Sequence, residues 1–117
     1  MASIAAALNE LIAGRDVTVE DALARHFTDS YRQSTNGEWI DRAAFAKQMT
    51  QLRPLVEDVE ITVLDEVSQG SAYAERHVIR VTQRGGGVAR QEVFLFAQLA
   101  DDGRFDSPEE LVRPLPS

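Results

Sequence analysis

The run Ala74-Glu75-Arg76-His77-Val78-Ile79-Arg80-Val81 constrains the fold more than any other stretch of the sequence. It reads as a long strand. A second apolar strand, Glu92 to Leu99, follows it, and a last one ends at Glu110-Leu111-Val112-Arg113. Long β-hairpins of this kind, arriving after three helical segments, outline a small curved sheet with helices on one side. Such a sheet closes into a cone around a pocket. The fold class read from the sequence is α+β: a cone-shaped, curved antiparallel sheet with three N-terminal helices enclosing a pocket. The pattern names an architecture and no substrate.

The helices come first. Residues 2–13 read as one, with Ile4, Leu8, Leu11 and Ile12 at helical spacing, alanines between them, and Gly14 as a stop. Thr18, with Asp21 three residues on, forms a capping box. The stripe Val19, Ala22, Leu23 and Phe27 then carries a second helix through about residue 28. Tyr31, Gln33 and Thr35 alternate up to Asn36-Gly37, the strongest two-residue hairpin signal available, and Trp39 and Ile40 follow it. Asp41 caps a third helix with Phe45, Met49 and Leu52 on one face, and Pro54 ends it.

The rest reads as sheet. Ile61, Val63, Asp65 and Val67 alternate with Glu60, Thr62, Leu64 and Glu66, and Gln69-Gly70 turns the chain. Residues 72–83 form the next strand, and Gly85-Gly86-Gly87 the next turn. Residues 88–100 follow, then a turn at Asp101-Asp102-Gly103. Residues 104–113 close the sheet, stopped by Pro114 and Pro116. Neither sheet face is simply polar. On one strand Tyr73, His77, Ile79 and Val81 oppose Ala72, Ala74, Arg76 and Val78; on the next Val93, Leu95 and Leu99 oppose Phe94 and Phe96. A sheet apolar on both faces must be covered on both. Helices cover one side, and a second copy of the chain is expected to cover the other, giving a homodimer through the sheet.

Composition narrows the function classes. At 117 residues the chain reads as one domain, 1–117, which buries roughly two-thirds of its unfolded surface, enough for one core and one cavity. The net charge of −7, with basic residues scattered among acidic ones, disfavours nucleic acid as a partner. No apolar run approaches the roughly 20 residues of a membrane helix. The start, Met1-Ala2-Ser3-Ile4, lacks the basic region of a signal peptide. With no cysteine there is no disulfide, iron–sulfur cluster or thiol nucleophile. The expected location is the cytoplasm.

The chemistry-bearing residues are few. Two histidines, His26 and His77, and no cysteine are too few for a zinc site, so no metal and no cofactor is expected. Glu75 lies two residues from His77 on the same strand face, so the pair can touch, and His77 reads as a structural histidine. Ser68, Ser71 and Ser107 sit at turns and outside any nucleophile elbow. Gly85-Gly86-Gly87 lacks the Lys-Ser/Thr ending of a phosphate loop. General acid–base chemistry remains, needing a carboxylate or histidine with a shifted pKa in a dry pocket. Arg76 and Glu110 are the catalytic candidates, each within a strand where an apolar residue is expected. Pointing inward, Arg76 would hold Glu110 ionised; pointing outward, the two would form a surface ion pair. Tyr31, Trp39, Met49, Val78 and Phe94 are the expected ligand-binding residues of the pocket wall.

With these elements in this order, the chain resembles the nuclear-transport-factor-2-like superfamily, most closely its SnoaL-like branch. The resemblance is carried by the Asn36-Gly37 hairpin, the helix ending Leu52-Arg53-Pro54, and the turn Asp101-Asp102-Gly103-Arg104-Phe105 before Glu110-Leu111-Val112-Arg113-Pro114-Leu115. It implies a cone pocket roofed by helices, dimers through the sheet, and diverse functions. Among these are isomerases and polyketide cyclases with a pocket Asp or His, epoxide hydrolases with an Asp–Arg–Asp set, and non-catalytic binders. Against the hydrolase pattern, Arg76 matches the arginine and Glu110 the water-activating aspartate. Val78 stands where the middle aspartate belongs, which disfavours epoxide hydrolysis. By strict alternation His77 faces away from Arg76. The expectation is a protein binding a small, mostly apolar molecule, with cofactor-free acid–base chemistry (Glu110 as base, Arg76 as its partner) if it is an enzyme. The rival is a non-catalytic interaction module. A cavity of about 300 Å³ or more with convergent polar groups favours the first; a core filled by Phe45, Phe94, Phe96 and Trp39 favours the second.

Overall fold

The computed structural model describes residues 3–116. The expected helix start at Ala2 lies outside them. The first helix, α1 (Ile4–Ala13), is capped by Ser3, whose side chain accepts the Ala6 N–H, and closes with the Gly14 N–H on the Glu10 carbonyl. The second, α2 (Val19–His26), is capped by Thr18 through the Asp21 N–H, and it ends one residue before Phe27 rather than continuing to 28. Phe27 instead extends and bridges to Phe105. The third, α3 (Arg42–Leu52), is capped by Asp41 through the Ala44 N–H and runs into a 3₁₀ turn, Arg53–Leu55, around Pro54.

Six strands make one sheet: β1 (Arg32–Thr35), β2 (Glu38–Asp41), β3 (Val56–Gln69), β4 (Ala72–Gln83), β5 (Val88–Leu99) and β6 (Phe105–Leu115). Their spatial order is β2-β1-β6-β5-β4-β3, and the sheet does not close. Every neighbouring pair is antiparallel except β1 with β6, which is parallel. The β1–β2 hairpin turns at Asn36 and Gly37, both with positive φ (52° and 89°), as a tight primed turn requires.

Three irregularities bend the sheet, one of them early in β3 between Val56 and Asp58, and the other two decide which side chains face inward. In β3 the pairing jumps from Val63 opposite His77 to Asp65 opposite Arg76, leaving Leu64 as an extra residue. The uninterrupted alternation read in the sequence fails there: Val59 and Ile61 face the helices, whereas Asp65 and Val67 belong to the outer face. In β6, Ser107 (φ 47°) and Pro108 together oppose Ala97, between the pairs Phe96–Glu109 and Gln98–Asp106. The last strand also continues through Pro114 to Leu115. Its pairing with β1 stops at Glu110, so β6 is an edge beyond Val112, where proline is tolerated.

The core lies between the helices and the inner sheet face. Phe27 packs edge-on against Tyr31 (centroids 4.5 Å apart) and against Phe45 (5.7 Å), and Tyr73 packs edge-on against Phe105 (5.1 Å). Tyr73 also ties α1 to the sheet: its hydroxyl accepts the Ile4 N–H and donates to Glu66. Of the four aromatics that would fill a packed module, Phe45 is in this core. Phe94, Phe96 and Trp39 are exposed.

Candidate functional site

The sheet and helices enclose a cavity of about 610 Å³. Its walls are mostly apolar: Ile4, Leu8 and Ile12 from α1, Phe45, Met49 and Leu52 from α3, and Ile79, Val81, Val93 and Val112 from the sheet. Two polar groups of different construction meet inside it.

The first comes from β4. Side chains alternate along a strand, so Tyr73, Glu75, His77 and Ile79 all face inward. His77 and Glu75 are both buried, and Nδ1 of His77 lies 2.5 Å from Oε1 of Glu75. A carboxylate that accepts Nδ1–H fixes the ring and its tautomer, leaving the Nε2 lone pair for a ligand. His77 lines the cavity, with Glu75 behind it. The second oxygen of Glu75 is buried and has no hydrogen-bond partner among the described residues.

The second group is Glu110 of β6. Glu75, Leu95 and Glu110 occupy one row across β4, β5 and β6, so the two carboxylates stand two strand spacings apart, roughly 10 Å between backbones. Burial pushes the Glu110 carboxyl above its ordinary value. A hydrogen bond from Thr35 and the charge of a protonated His77 oppose that rise, and the charge of Glu75 adds to it. The Thr35 hydroxyl donates to Oε1 of Glu110 at 2.8 Å. Gln33 Nε2 donates to the Thr35 oxygen at 3.4 Å, and the Tyr31 hydroxyl donates to Gln33 Oε1 at 2.7 Å. Tyr31 is itself buried, and both that burial and the nearby Glu110 charge push its phenol well above the usual range.

Local sequence explains this meeting of β1 and β6. Thr35 stands opposite Glu110 in the parallel pair. The Asn36 N–H donates to the Glu110 carbonyl at 2.9 Å, while the Asn36 side chain donates to the Val112 carbonyl (3.2 Å) and accepts the Val112 N–H (2.8 Å). Asn36 thus serves both the turn and the register.

Comparisons with other proteins place the fold. No protein-family model matches the sequence, and no curated protein sequence matches it significantly. Solved structures do. IdmH from Streptomyces antibioticus, a candidate polyketide cyclase, is 17% identical with a TM-score of 0.72, covering 93% of this chain and 88% of that one. An NTF2-like protein of unknown function from Exiguobacterium sp. 255-15 is 18% identical, with a TM-score of 0.71 over 97% of this chain and 98% of that one. A SnoaL-like candidate polyketide cyclase from Jannaschia sp. CCS1 is 13% identical, with a TM-score of 0.62 over 92% of this chain and 83% of that one. The fold is NTF2-like.

Within this NTF2-like cone the residues singled out from the sequence divide between two faces. Tyr31, Met49 and Glu110 line the cavity. Arg76 does not join Glu110 there, because the alternation that turns His77 inward turns Arg76 outward. Its Nη2 lies 2.8 Å from Asp65 Oδ2 and its Nη1 3.7 Å from Glu92 Oε2. Val78 faces outward for the same reason, between Thr62 and Glu92 on the neighbouring strands. Phe94 is on the outer face of β5 and half-exposed. Trp39, on the edge strand β2, is also half-exposed, with the Arg32 guanidinium 4.3 Å from its ring centre.

Outside the cone, Arg76, Phe94, Phe96, Leu111 and Val67 border a broad outer hollow of about 830 Å³. It is larger than the cone cavity, and Glu75 and Glu110 border it as well, whereas His77 lines the cone cavity. Gln33 and Thr35 were not singled out as site residues. Their signal was the spacing Tyr31, Gln33, Thr35, which puts three polar groups on one strand face. Among the described residues, no group of three or more His, Cys, Asp or Glu side chains is arranged to hold a metal ion, and no helix is long and apolar enough to cross a membrane.

Proposed function

We propose that the protein performs cofactor-free acid–base chemistry on a small, mostly apolar molecule held in the cone. The observation that carries this reading is the contact of Glu75 with His77 beside the cavity that also contains Glu110. Nε2 of His77 accepts a proton from carbon next to a carbonyl, and Glu75 stabilises the imidazolium that forms. Glu110, whose proton is held by burial, offers a hydrogen bond or a proton to the developing oxygen charge. The same proton then returns to a neighbouring atom, so isomerisation or ring closure needs no co-reactant. The base role expected of Glu110 passes to His77, and Glu110 becomes the proton donor. The cavity falls within the size range of small-molecule sites, and its lining includes no lysine or arginine among the described residues. This favours an uncharged ligand. The likeness to candidate polyketide cyclases supports the class of chemistry by analogy of fold.

The assembly proposed is a homodimer through the outer sheet face, and the cysteine-free composition suits the cytoplasm. Exchange of the α-protons of 2-indanone in D₂O, followed by proton NMR, tests the chemistry without knowledge of the natural substrate. The wild-type protein should accelerate exchange, His77→Gln should lose at least about 100-fold of that acceleration, and Arg76→Ala should retain it. A wild-type protein that binds 2-indanone yet leaves exchange at the buffer rate overturns the proposal.

A further inference from the structure

We propose that Gln33 is a positioning residue: held by Tyr31 on one side and bonded to Thr35 on the other, it commits the Thr35 hydroxyl proton to Oε1 of Glu110 and leaves Oε2 as the oxygen that exchanges protons with a ligand. The inference deepens the acid–base reading above and rests on it for its functional meaning.

Three hydrogen bonds in series fix which group donates at each step. A buried phenol that keeps its proton is a donor, so Tyr31 selects the oxygen end of the Gln33 amide. The amide is rigid and planar, so its NH₂ end must face Thr35. The Thr35 oxygen then accepts from Gln33, and its single proton has one productive direction, toward Glu110. Each residue removes the choice of the next. A lone threonine could rotate its hydroxyl toward water. Here Gln33 and Thr35 also line a smaller hollow of about 430 Å³ with Glu38 and Gln48 on the β1–β2 side, where such water would sit.

Few titratable groups face Glu110 inside the cone, and the outer hollow that it also borders adds Asp65, Glu66, Arg76 and Glu109. His77 and Glu75 face it from β4, Tyr31 from the segment before β1, and Glu38 borders the side hollow. The residues that α1, α3 and β5 present to the cavity are uncharged. A permanent donor on Oε1 works against the rise caused by burial.

The test titrates the glutamate carboxyl carbons by ¹³C NMR in the free protein, with Glu110→Gln identifying the Glu110 resonance. Gln33→Leu and Thr35→Val should each raise the Glu110 midpoint by about one pH unit, and Thr35→Ser should leave it in place. If Leu disturbs β1, Gln33→Met is the unbranched alternative. In the exchange assay the alkaline limb of the pH profile, where Glu110 loses the proton it donates, should move with the midpoint in Gln33→Leu, with KM unchanged. A midpoint that stays at its wild-type value in Gln33→Leu or Gln33→Met overturns the proposal, as does an equal rise in Thr35→Ser. The titration reads the relay even if no exchange is catalysed, so failure of the relay and failure of the acid–base reading are separate results.

Discussion

Glu110 is a half-buried carboxyl whose charge is governed by a hydroxyl, an imidazole and a second carboxylate. Its raised value makes a prediction about stability. The native state holds the Glu110 proton above 4.5, the ordinary value from which it is displaced, so between that point and its native midpoint folding takes up a proton. Stability therefore falls as pH rises through this window and is unaffected below it. Glu110→Gln keeps an acceptor for Thr35 and removes the ionisation. At pH 7 the variant should be more stable than the wild type, and thermal unfolding at pH 4 should show the gain gone. Arg76 illustrates the opposite environment. Half in water and bonded to Asp65, it contributes little to stability, and nothing across the sheet reaches the cavity.

Elements explain what was legible and what was not. The N-caps Thr18 and Asp41, the Asn36-Gly37 turn and the long strands were readable, because caps and turns follow from the chemistry of a few adjacent residues; the Ser3 cap was not, since the expected helix began before it. The face of each strand was readable only where no residue intervened. Tyr73, Glu75 and His77 alternate without interruption, and their shared face follows. In β3 the extra residue Leu64 reverses the alternation, and nothing in Val63-Leu64-Asp65 announces it. Arg76 lies outside the cone cavity for a different reason: register across β5 decides which faces of β4 and β6 correspond, and a local pattern does not contain register; Arg76 and Glu110 share the outer hollow instead. Nor did the sequence reveal the clamp on α1. Arg53, in the 3₁₀ turn, donates to the carbonyls of Glu10 (2.6 Å), Leu11 (2.8 Å) and Val17 (2.6 Å). It satisfies carbonyls at and just beyond the end of that helix. Arg53→Met should cost about 1–3 kcal/mol, measured by urea unfolding, while Arg32→Met at the exposed hairpin should cost far less.

The whole molecule presents an outer sheet face that is apolar at its centre and charged around it. Phe96 and Leu111 remain 51% and 65% exposed, and Val67 68%. The charges on the same face come in both signs, with Glu92 held between Arg76 and Arg113 and Asp65 on Arg76. A surface with both signs around an apolar centre can pair with its own copy about a two-fold axis, each positive group meeting a negative one. Single charges should therefore break the proposed dimer. Sedimentation velocity is expected to show Phe96→Glu and Leu111→Lys as monomers of native fold, and the wild type at twice their mass. A wild type that sediments as a monomer at about 100 μM would leave this face for another partner.

The parallel pairing of β1 with β6 sets a timetable for assembly. Thr35 and Glu110 are 75 positions apart along the chain, and closing so long a loop is slow compared with forming the local hairpins of β3, β4 and β5. The Glu75–His77 contact can arise within one strand, early. The other half of the site must wait for the most distant pairing, so any catalytic competence should appear with the final folding phase and vanish with the first local opening of the β1–β6 seam.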